Sequence, residues 1–67
     1  MQHHSVSSRA IRSIGYDEVS MTMEVVFRSG STRYRFCGVP KSVFTAFLNA
    51  GSKGSYFHRH IKDHYHC

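Results

Sequence analysis

A chain of 67 residues supports one domain, and a domain of this size buries only about 60% of the surface its unfolded chain would expose. Nine Lys and Arg against four Asp and Glu leave a net charge of +5, which favours anionic partners and nucleic acid first. Hydrophobic content of 40% excludes a wholly disordered chain. No apolar stretch reaches the roughly 20 residues that span a bilayer, and the N-terminus lacks the apolar middle of a signal peptide, so a cytoplasmic protein is expected.

Residues 1–8, polar and carrying His3 and His4, read as a disordered lead-in, leaving 9–67 as the single domain. From Arg9 to Tyr16 the spacing of Ile11, Ile14 and Tyr16 predicts a first strand with a bulge near Ser13. The short polar residues from Tyr16 to Ser20 predict a turn into Met21.

The run Met21–Pro40 predicts a hairpin folded on Ser29 and Gly30. That register pairs Phe27 with Thr32, Val25 with Tyr34 and Met23 with Phe36 on an apolar face. Val26 with Arg33, Glu24 with Arg35 and Thr22 with Cys37 then share the other face. A slip of one residue would bury both arginines, so the register is well specified.

Pro40 suits the first position of a helix, where its missing N–H is not needed. Val43, Phe44, Phe47 and Leu48 form one stripe of an amphipathic helix from Lys41 to Ala50, and Gly51 is its expected stop. Ser52 is placed to cap a second helix, in which Phe57 and Ile61 lie one turn apart with Tyr65 on the same side; that helix is expected to fray after Lys62. The fold class is therefore α+β, a three-stranded antiparallel sheet followed by two helices on the Tyr34 and Phe36 face (βββαα).

Several ordered motifs together resemble one family. Ile14-Gly15-Tyr16-Asp17, Glu24-Val25-Val26-Phe27 with Gly30, Tyr34-Arg35-Phe36, Gly38-Val39-Pro40, Ser52-Lys53-Gly54, Tyr56-Phe57 and Ile61 are similar to the KTSC domain, from about Arg9 to Tyr65. That module occurs at the C-terminus of some lysyl-tRNA synthetases and as free-standing small bacterial or phage proteins. The resemblance implies RNA binding only through that attachment, and implies no established activity. The chain departs from the family pattern where Phe36 replaces the second tyrosine of Tyr-x-Tyr, where His58 follows Tyr56-Phe57 in place of a common asparagine, and in its His-rich ending.

Tyr34 and Phe36 offer a base-stacking platform in principle, but strand alternation points them toward the helices, and both are assigned to the core. The nucleic-acid expectation therefore rests on cations: Arg28, Arg33 and Arg35 on the uncovered hairpin face, joined by Arg9 or Arg12, with Lys53, Tyr56 and Arg59 on the second helix. A solvated charged face, with Glu24 neutralising Arg35, is the competing reading. RNA, as tRNA or single strand, is the first expected partner; a protein partner met through a strand edge or the second helix is the alternative, with the chain a monomer or weak homodimer.

His60 and His64, four residues apart, with Cys67 beyond, have the spacing of metal ligands only if the helix persists to the chain's end, so no metal and no other cofactor is assigned. The two cysteines fit a reducing compartment, with Cys37 half-buried and Cys67 an exposed thiol. No nucleophile lies beside a base on a strained turn, and a non-enzyme is expected.

Overall fold

The computed structural model describes residues 1–67 and contains four antiparallel strands in the order β1-β2-β3-β4, followed by helical segments. The strands are β1 (Gln2–Ser5), β2 (Ile11–Asp17), β3 (Thr22–Phe27) and β4 (Arg33–Phe36). The sheet thus has four strands where the sequence predicts three, and the additional one lies within the residues expected to be a lead-in. Its pairing partner explains the difference: β1 runs antiparallel to β2, with His3 opposite Gly15 and His4 opposite Ile14. A four-residue polar strand has little period-2 signal of its own and is ordered by the neighbour it meets.

The hairpin register is the predicted one, with Met23, Glu24, Val25 and Val26 opposite Phe36, Arg35, Tyr34 and Arg33. Pairing stops at Val26 and Arg33, so the connection is longer than the two residues expected while the register is unchanged. The expected bulge is present in β2, where the register shifts between Ile11 and Ser13. The turn between β2 and β3 is held by Asp17, whose carboxylate accepts from the Val19 N–H at 3.0 Å; this bond is the main reason its pKa lies below the usual carboxylate value. Met21 closes that turn with a left-handed φ of 55°.

After β4, Gly38 turns the chain at φ +69°, a conformation that other residues adopt at a cost. Pro40 then stands one residue earlier than predicted, at the N-cap of α1 (Lys41–Leu48), and its carbonyl accepts from the N–H groups of Val43 and Phe44. Asn49, rather than Gly51, ends α1, and its side chain donates to the Thr45 carbonyl at 3.0 Å. Ser52 caps α2 (Lys53–Tyr56) as predicted by accepting from the Ser55 N–H. The chain continues as a π-helical segment, Phe57–Ile61, closed by a 2.8 Å bond from the Lys62 N–H to the Phe57 carbonyl. The wider turn places Phe57 and Ile61 both in the core.

Alternation puts His4, Ile14, Val25 and Tyr34 in one cross-sheet row, and Gln2, Tyr16, Met23 and Phe36 in the next, on a single face. Ile11, Ile14, Met23, Val25, Val39, Phe47 and Ile61 are fully buried there. Tyr16 stacks on Phe44 at 4.6 Å and donates to the Val39 carbonyl at 2.6 Å, and burial raises its pKa. Phe57 meets Phe27 and Phe36 edge to face.

Two core and cysteine assignments are corrected. Tyr34 remains 48% exposed, because β4 is the outer strand and the helical layer ends at Phe57 and Phe36. Its ring meets that of Phe27 edge to face at 5.4 Å. Neither cysteine is free: Cys37 and Cys67 form a disulfide. Asp63, at φ 66°, reverses the chain after the helix and returns the tail toward the end of β4.

Candidate anion-binding face

The face opposite the helices carries the row His3, Gly15, Glu24 and Arg35, beside a row of Ser5, Ser13, Val26 and Arg33. Glu24 is only 5% exposed although no helix covers it, because three basic side chains surround its carboxylate. Arg35 donates through Nη2 at 2.7 Å and Nε at 3.3 Å, both to Oε2. Oε1 faces His3 Nε2 at 3.2 Å and Arg33 Nη1 at 4.0 Å. The hydrogen bond from Arg35, aided by the charges of Arg35, His3 and Arg33, holds the Glu24 carboxyl below its ordinary pKa against the opposing effect of burial.

Gly15 makes this cluster possible. A Cβ built there would lie 2.6 Å from His3 Cε1, so only glycine lets the imidazole lie flat across β2 and reach the carboxylate on β3. One carboxylate between two guanidiniums leaves one cationic charge uncompensated. The Arg33 and Arg35 side chains stay 67% and 61% exposed, with their outer N–H groups open to a second anion.

The other expected cations do not join this face as one surface. Arg28 donates through Nε to the Ser8 carbonyl and through Nη2 to the Val6 carbonyl at 3.3 Å, bracing the β1–β2 connection. Lys53 donates to the Ala50 carbonyl at 3.1 Å and lines a polar cleft of about 320 Å3 with Arg9, Ser8 and Ser52. Tyr56 stacks on Phe47 at 5.5 Å, meets His60 in a tilted contact at 4.6 Å and donates to the Val43 carbonyl, so its ring serves the helical layer. Arg59 is exposed and makes no ion pair. The expected site therefore divides into an arginine row on the sheet and separate cations around the helices.

The His60, His64 and Cys67 trio does not assemble: Cys67 is bonded to Cys37, the helix ends at Ile61, and no three His, Cys, Asp or Glu side chains cluster as metal ligands. Sequence reasoning missed His3, which it gave no role. The available signal was Gly15 inside a strand, since a glycine between Ile14 and Tyr16 marks a close approach by another group.

The sequence pattern of the KTSC domain matches residues 7–65. An uncharacterized protein of Stutzerimonas stutzeri (strain A1501) is 39% identical over 66 residues, covering 97% of this chain and 92% of the relative. The crystal structure of a KTSC domain protein from Yersinia pestis superposes with a TM-score of 0.92 at 39% identity, covering 98% of this chain and 92% of that one.

Proposed function

We propose that this chain, which belongs to the KTSC domain family, is a small non-catalytic binding module that holds the phosphate backbone of RNA along the open face of its sheet. The observation that carries the reading is the pair of exposed guanidiniums, Arg33 and Arg35, fixed two residues apart on a rigid strand around a single carboxylate. Their spacing along β4 is close to 7 Å, of the order of the distance between successive phosphates in a nucleic-acid strand. Nothing in the row reads base edges, so binding is expected to be insensitive to sequence. His3 adds a third donor when Glu24 releases it.

No helix is long and apolar enough to cross a membrane. An RNA partner places the module in the cytoplasm, where thiol reductants work against the Cys37–Cys67 bond. Neither cysteine contacts the Glu24 cluster, so the arginine row keeps its charges when the bond opens, although β4 then loses the cross-link at its end.

The test is fluorescence anisotropy with a single-stranded RNA and a tRNA over a salt series. Binding in the micromolar range is expected to weaken at least tenfold for Arg33→Glu plus Arg35→Glu, and Arg33→Gln alone should lower the salt slope by about 0.7 for a single strand. Affinity kept within twofold in a double variant that still folds would remove this mechanism.

A further inference from the structure

The outer edge of β4 is open. β4 pairs only with β3, and none of the turn, loop or side-chain hydrogen bonds uses the main chain of residues 33–36. Beside that edge, on the helical side, lies a groove of about 300 Å3 floored by Phe27, Tyr34, Phe36, Phe57 and Tyr65. Its rim carries His58, Lys62 and His66 against a single acid, Asp63. Across the strand, on the other face, stand Arg33 and Arg35.

We propose that this edge and groove receive an extended acidic segment of a partner protein, added to the sheet as a fifth strand. A strand laid about 4.8 Å beyond β4 turns alternate side chains to the two faces. Those on the helical side enter the aromatic groove and must be apolar. Those on the open side lie next to Arg33 and Arg35 and are favoured as carboxylates. The recognised chemistry is therefore a short acid–apolar alternation, with main-chain bonds supplying the pairing. Half-exposed Tyr34 is explained by this arrangement, because a side chain of the added strand would cover its open flank.

A second copy of this chain is the poorer occupant. Antiparallel pairing of β4 with its twin sets the arginines of one copy directly opposite those of the other, and like charges across a ladder repel. The same +5 charge that disfavours self-pairing attracts an acidic strand.

The surface differs from the one proposed for RNA in depending on Tyr34 and the groove, and the experiment separates the two. The probe is a blocked heptapeptide alternating glutamate with valine, compared with a peptide of equal composition with its glutamates and valines segregated and with an all-glutamate heptapeptide. The full-length chain is followed by amide chemical shifts, hydrogen exchange and light scattering. The alternating peptide is expected to bind at least tenfold more tightly than either control and to protect amides within residues 33–36. Tyr34→Ala should weaken it at least fivefold while leaving RNA affinity within twofold. Equal binding of the three peptides, no binding at millimolar concentration, or protection of β1 in place of β4 would overturn the proposal. So would a dimer that protects residues 33–36 without peptide.

Discussion

The two edges of the sheet are both four residues long, yet they are held by different means. β1 brings no buried side chain of its own: His4 reaches Phe44 in a tilted contact at 5.9 Å, and His3 lies over Gly15 to meet Glu24. β4 is held covalently at its end, where Cys37 joins the last residue of the chain, and by Phe36 packed under Phe57. One edge thus depends on a polar contact across a gap left by a missing Cβ, and the other on a cross-link. The polar edge should respond to pH and to small changes of volume, while the stapled edge should respond to reductant. Glu24 links them, since it binds His3 of β1 and Arg35 of β4 through different oxygens.

The largest effect is expected at the stapled edge. Cys67→Ser, or reduction of the wild type, opens a loop closed over 30 residues of sequence separation, and the chain-entropy relation puts the loss near 3–4 kcal/mol of stability. In a domain this small that is a large share of the total. Urea unfolding of the oxidised and reduced chains would measure it, and an unchanged midpoint would mean that the tail contributes nothing to β4.

The junction of the two edges comes next. Glu24→Gln leaves Arg35 a neutral acceptor and weakens both attachments, for a loss of about 1–3 kcal/mol at neutral pH. The pH dependence has a definite sign. The folded pKa of Glu24 is lowered, so its contribution is fully present above the unfolded value of about 4.3 and is lost as pH falls through the folded value. Thermal unfolding between pH 7 and pH 3 should show a steeper acid loss for the wild type than for Glu24→Gln.

The polar edge alone is tested by Gly15→Ala. The new methyl meets the His3 ring, which is the end of a side chain and can swing away, so the cost should be near 1 kcal/mol and should fall on β1. Faster amide exchange in residues 2–5 with little change in residues 33–36 is the expected pattern. Equal loosening of both strands would show that Gly15 supports the sheet as a whole.

These contrasts also explain what the sequence made legible. The hairpin register followed from chemistry that only one alignment satisfies: Val25 and Met23 need apolar partners, and Glu24 needs Arg35. The stripe of Phe44 and Phe47 and the Ser52 cap were local patterns of the same kind. β1 was not legible, because Gln2–Ser5 is ordered by its pairing with β2 and by contacts such as that of His3 with Gly15 and Glu24, which join distant parts of the chain. The Cys37–Cys67 bond was hidden likewise, since it depends on a left-handed turn at Asp63. Within the expected cationic site, alternation located Arg33 and Arg35, but it could not reveal that Arg28 and Lys53 are engaged with main-chain carbonyls.

The smallest effect is expected where the stapled edge is least covered. Tyr34 was assigned to the core from its face of the strand, yet a side chain on an outer strand is buried only if something lies beyond it, and here nothing does. Tyr34→Thr keeps a strand-forming residue and gives up one edge-to-face contact with Phe27, so the change in stability should stay near 0.5–1 kcal/mol. The equivalent change one row away, Phe36→Thr, removes a ring packed against Phe57 and should cost several times more. Chemical denaturation of the two variants side by side would measure that ratio. Comparable losses would mean that Tyr34 is covered in solution, and the aromatic groove could not then be open to a partner's strand.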